Sequence, residues 1–211
     1  PLAALWGMGI RDLRIPISDL LDPRVSDRVK LLSALGHRFT VVMFGLPNEE
    51  RRAALAAHAA GIKAVEVVAV FDQWPEFVGS LKELRQGSDF EVYLHAVRPE
   101  VEGWTTHHGL HVDLTDEVDW VLSQTGLPDA VDGFVFGVRR DILPFDGYTA
   151  AQRSLSGTRY KPLLHVPSVG MYWTMAANDD VAEKKEIARV AEATMMARAI
   201  PELSIVIDNF V

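Results

Sequence analysis

Seven short apolar runs of strand length recur along this chain, and most are followed by a stretch with helical signals. That alternation limits the fold more than any other feature. The runs cover residues 10–18, 39–46, 64–71, 90–97, 133–139, 161–166 and 203–208. They are rich in Val, Ile and Phe and are bounded by turn residues, as strands are. Between them, Asp22-Pro23 reads as an N-cap with Pro at the first helical position, opening a helix that reaches Leu35 and stops at Gly36. Asn48 caps an Ala-rich helix over 49–60, with Gly61 in the C′ position. Further helices are expected over 75–85, 115–124 and 181–199, and a weaker one over 148–156. Strands alternating with helices define a parallel α/β fold.

Two parallel architectures compete, an open doubly wound sheet and a closed barrel. Central strands of an open sheet are covered on both faces and read as unbroken apolar runs. Several strands here alternate instead. Phe90, Val92, Leu94 and Ala96 oppose Glu91, Tyr93 and His95; Leu13, Ile15 and Ile17 oppose Asp12, Arg14 and Ser18. One apolar face and one partly charged face fit strands with helices outside and a polar lumen inside. Gly7 to Gly9 precedes a strand rather than following one, so it does not satisfy the context of a dinucleotide-binding loop. The expected fold is therefore a (β/α)8 TIM-type barrel forming a single domain over residues 1–211.

In such a barrel, chemistry sits at the C-terminal ends of the strands and stability at their starts. Asp12, Arg38, Glu66, Glu91 and Lys161 fall early and read as a lower ion-pair network. Arg14, Asp72, His95, Arg139, His165 and Asp208 fall at or near strand ends and read as the upper, functional layer. His95 and His165 titrate near neutrality and are the expected general acid and base. Asp208 would orient one imidazole or activate water. Arg14 and Arg139 supply fixed positive charge for a phosphate or carboxylate, with Asp72 beside them on the substrate. His95, His165 and Asp208, with Asp72, also make a ligand set for a divalent metal, although the two arginines oppose a bare cation. His107, His108 and His111 crowd one loop without a zinc-binding pattern, and Gly109 and Val112 predict an extended or turn conformation there. Trp74, Trp104, Tyr172 and Trp173 lie in strand-to-helix loops, where aromatic rings stack on sugars or other organic rings. The segment 166–178 is long enough to act as a lid.

The run Gly9-Ile10-Arg11-Asp12-Leu13-Arg14-Ile15-Pro16-Ile17 resembles the second barrel strand of the large retaining glycoside hydrolase clan. The resemblance implies a barrel fold, a carbohydrate substrate and a supporting role for Arg14 at the catalytic centre. The clan's Asn-Glu acid/base has no counterpart in Phe71-Asp72-Gln73 or His95-Ala96-Val97. Its nucleophilic Glu is replaced by His165-Val166-Pro167. Asp208 at the last strand end is similar to that of metal-dependent amidohydrolases, whose opening His-x-His is absent from Arg14-Ile15-Pro16.

Composition narrows the partners. Net charge is −8, which gives nucleic acid no electrostatic footprint. No apolar stretch approaches about 18 residues, and no signal peptide is visible, so a soluble, cytoplasmic protein is expected. The absence of Cys excludes disulfides, thiolate metal sites and a Cys nucleophile. The leading functional expectation is a barrel hydrolase acting on a small sugar derivative or phosphate ester. The alternatives are a non-catalytic carbohydrate-binding or accessory barrel attached to a separate catalytic domain, and a metal-dependent lyase or isomerase. The 211 residues fall short of the roughly 250 of a full barrel. With Pro1 at the start and Val211 closing an apolar run, the expectation is most of a barrel within a longer polypeptide.

Overall fold

A computed structural model describes residues 7, 9–70, 73–97, 109–111, 115–124, 126, 129–138, 142–167 and 179–208. Among the described residues the chain is α/β, with seven strands of five or more residues running parallel and seven α-helices between them. The strands are β1 (Asp12–Pro16), β2 (Arg38–Phe44), β3 (Ile62–Val70), β4 (Glu91–Val97), β6 (Gly133–Gly137), β7 (Lys161–Pro167) and β8 (Ser204–Asp208). A two-residue strand, β5 (Leu110–His111), adds to β6. The helices are α1 (Ser18–Leu21), α2 (Pro23–Ala34), α3 (Glu49–Ala57), α4 (Trp74–Gln86), α5 (Thr115–Ser123), α6 (Pro144–Ser154) and α7 (Asp179–Ala199). All seven sequence-expected strands are present. No helix among the described residues is long and apolar enough to cross a membrane.

The chain divides into two compact units, the first comprising Pro1–Leu94 and Thr125–Asp132, the second His95–Gln124 and Gly133–Val211. In the first, β1, β2 and β3 form consecutive parallel ladders. Register places Arg14 level with Thr40 and Ala64, and Pro16 level with Val42 and Glu66. Phe39, Val41, Met43, Val65 and Val67 are buried along β2 and β3, with Leu55 of α3 and Leu81 of α4 also in the core. The helix starts follow the sequence: Asp22 accepts from the Arg24 amide at 2.9 Å and Asn48 from the Arg51 amide at 2.9 Å. Gly36 takes a φ of +91°, a conformation that L side chains rarely adopt. Asp132 anchors the start of β4: one carboxylate oxygen accepts from Arg85 Nη2 at 2.8 Å and the other from the Val92 amide at 2.9 Å.

In the second unit, β6 pairs with β7 and β7 with β8, again parallel. Phe134, Val135 and Phe136 are wholly buried, as are Leu163 and Leu164, with Ala193 of α7 and Ala151 of α6 among the buried helix residues. Gly147 of α6 is packed so closely that an added Cβ would lie 2.9 Å from Val138 Cγ2.

Several local expectations change. The first strand ends at Pro16 because Ile17 already has helical backbone angles and is the N-cap of α1. Gly61 does not close α3 in a left-handed conformation. A 3-10 turn, Ala59–Gly61, intervenes, and a Cβ on Gly61 would lie 2.4 Å from Ser33 Oγ, so close helix packing accounts for this glycine. The weak helix over 148–156 starts earlier, at Pro144, whose missing amide proton suits a first turn.

Two predictions concern this framework. Asn48→Ala removes the cap of α3 and should cost about 1 kcal/mol in urea unfolding, with Asn48→Asp retaining most of it. Asp19 in α1 has its carboxyl pKa raised from 3.8, by burial first and by the Asp22 charge second. The folded state therefore holds the proton more tightly than the unfolded state, and stability falls as pH rises through that window. Asp19→Asn should raise the melting temperature at pH 7 and leave it nearly unchanged at pH 3. An equal shift at both values would refute the electrostatic cause.

Candidate functional site

Two of the expected catalytic residues meet in the second unit. His95 lies on β4 and His165 on β7, and their ring centroids are 5.9 Å apart with planes tilted by 52°. Both are almost fully buried, at 1% and 2% exposure. Burial at this depth is uncommon for an imidazole outside a packed or functional setting. Register puts His165 level with Gly137 on one side and Val206 on the other. The backbone of Asp208 pairs with Pro167, two positions further along than Val206. His165 and Asp208 thus lie on neighbouring strands, and His95 lies on β4, which β6 separates from β7.

The backbone around His165 is tied from two elements. The Val138 amide donates to the His165 carbonyl at 2.9 Å, and buried Arg189 of α7 donates from Nη2 to the Val138 carbonyl at 3.3 Å. Sequence reasoning missed Arg189, which looks like one more charge on a charged helix. Its burial follows only from the way α7 packs. Gly109 is a second requirement that sequence reading took only as a turn signal. Its φ is +86°, its amide donates to the Ala96 carbonyl at 3.0 Å, and an added Cβ would lie 2.6 Å from the Val135 carbonyl oxygen. Only glycine allows that approach, and it leads into β5, where His111 pairs with Gly137. The extended conformation expected at this point is what forms.

Arg14 is held differently from the sequence expectation. In the first unit its Nε donates to Glu66 Oε1 at 3.1 Å and its Nη2 to Glu66 Oε2 at 2.9 Å. This two-pronged ion pair reaches diagonally across β2, with the Glu66 side chain at 1% exposure and Arg14 partly exposed. Assigning Arg14 to the upper layer and Glu66 to the lower one is corrected by the register, in which Glu66 stands two positions above the level of Arg14. Counting from strand starts failed because the ladders are staggered, with a register shift between Phe39 and Thr40. An anion approaching this guanidinium also meets the carboxylate that holds it. Asp12, by contrast, pairs with Lys63 at 2.7 Å near the strand starts.

Trp74 was expected to offer a stacking face. It opens α4 fully buried, with its indole N–H donating to the Ala69 carbonyl at 3.3 Å, and it packs in the core. Asp72, Arg139, Trp104, Tyr172, Trp173, His107 and His108 lie outside the described residues, as does most of the expected lid. Among the described residues no three His, Asp or Glu side chains gather as a metal-binding group.

The fold is that of a parallel α/β protein. Comparison with protein-family models, curated proteins and solved structures finds no match to this chain.

The Arg14–Glu66 pair yields an asymmetric prediction. Arg14→Met leaves a buried carboxylate without its cation and should cost roughly 3 kcal/mol or more. Glu66→Gln leaves a partly exposed guanidinium that can turn to water and should cost about 1–2 kcal/mol. The double variant Arg14→Met/Glu66→Leu should recover stability relative to Arg14→Met. Urea unfolding checks all three.

Proposed function

We propose that this chain forms a (β/α)8-type barrel that acts as a hydrolase on a small polar or anionic substrate, such as a sugar derivative or phosphate ester. The single observation that supports it is the buried His95–His165 pair, carried on two separate parallel strands with ring centroids 5.9 Å apart. One imidazole would take the proton from attacking water and the other would deliver a proton to the leaving oxygen. Asp208 would orient an imidazole or activate water from the end of β8. Arg139, following β6, would hold the substrate anion, a role that rests on its position in the chain. The partner would be a small molecule rather than nucleic acid, in keeping with the net charge of −8, and a divalent metal held by His95, His165 and Asp208 is the alternative chemistry, that of a lyase or isomerase.

A second reading has its own support. Arg14 is neutralised by Glu66 and both imidazoles are nearly inaccessible, as suits a non-catalytic binding or accessory barrel in which these groups stabilise the sheet.

The test uses a panel of p-nitrophenyl phosphates and glycosides. With the far-UV circular dichroism unchanged, His165→Ala should lower turnover at least ~100-fold. Unchanged turnover sinks the assignment of His165. An inactive wild type, together with loss of stability in His165→Ala, supports the accessory reading.

A further inference from the structure

A second pair of side chains, wholly within the first unit, has the arrangement of an activated nucleophile. Ser26 in α2 places Oγ 2.9 Å from Nε2 of His58, the residue that ends α3. The other ring nitrogen, Nδ1, lies 2.8 Å from the Ala54 carbonyl oxygen. A carbonyl can only accept, so Nδ1 carries the proton. In the neutral ring Nε2 then presents its lone pair, and the Ser26 hydroxyl donates to it. Hydroxyl, base and orienting group follow in the order that activates a serine.

The position of His58 supplies what a carboxylate supplies in the usual triad. It caps the C-terminus of α3, where unpaired carbonyls gather partial negative charge. That end, and the Ala54 carbonyl in particular, would stabilise the imidazolium formed when Nε2 takes the serine proton. Both residues lie just under the surface, at 7% and 8% exposure. Exposed Ala57, Ala59 and Ala60 flank His58 in the chain, and their short side chains leave little bulk beside the base.

We infer that Ser26 and His58, with the Ala54 carbonyl as third member, form a nucleophilic site that accepts small carboxylic esters. Ser26 Oγ attacks the acyl carbon, the Oγ–C bond forms and the bond to the leaving alcohol oxygen breaks. The serine proton passes to His58 Nε2 and from there to the departing oxygen. Water then attacks the acyl-serine, giving its proton to Nε2. The acyl–Oγ bond breaks, the acid leaves and the proton returns to Oγ. The site is independent of the His95–His165 reading, so either can fail without the other.

The test is labelling of the full chain with diisopropyl phosphorofluoridate, in which the Oγ–P bond forms as fluoride leaves. Peptide mapping should find the adduct on Ser26 and not on Ser33, a more exposed serine of the same helix with no imidazole partner among the described residues. Ser26→Ala should lose the adduct and the initial burst with p-nitrophenyl acetate. His58→Gln should slow labelling at least ~100-fold. An unlabelled Ser26 in the folded wild type overturns the proposal, as does labelling of Ser33 at the same rate. Equal labelling of a folded His58→Gln variant also overturns it. If that variant does not fold, the wild-type ratio of Ser26 to Ser33 labelling decides.

Discussion

The parallel β ladder is the constraint on which the other features rest. Each ladder sets the height of every residue on its neighbours through backbone hydrogen bonds, so side chains far apart in the chain meet at levels the ladder decides. Arg14 reaches Glu66 because β1, β2 and β3 are staggered so that Glu66 stands two positions higher. His165 shares a level with Gly137 and Val206 for the same reason. Parallel strands also require long crossover connections, and the helices that supply them bury their apolar faces on the ladders.

Several buried polar groups are matched by specific partners, because leaving one unmatched costs more than a matched one contributes. Glu66 holds a guanidinium, Asp132 holds Arg85 and the Val92 amide at the start of β4, and Arg189 holds the Val138 carbonyl. His58 is satisfied at both ring nitrogens, by Ser26 and by the Ala54 carbonyl. A group that reads as functional in the sequence can also be an anchor, as Arg14 is for Glu66.

Much of the framework was legible from residue patterns. Strand runs announced themselves by β-branched residues, and Asp22-Pro23 and Asn48 marked helix starts by chemistry that acts within three residues. His95 and His165 were legible too, since alternation within a strand tells which residues share a face. The Arg14–Glu66 pair was not, because it spans 52 residues and depends on register. The Ser26–His58 pair, 32 residues apart on two helices, left no local signal at all. Trp74 misled because a Trp beside a loop looks alike whether it faces a ligand or the core.

By itself the sequence determined the order and type of the elements, for they are governed by short-range causes: capping, glycine and proline backbone limits, and apolar periodicity. The tertiary structure alone decided which charges cancel, which imidazoles approach each other and which serine meets a base. Those outcomes depend on strand stagger and helix packing, which are fixed by the sum of many contacts and written in no single stretch of chain.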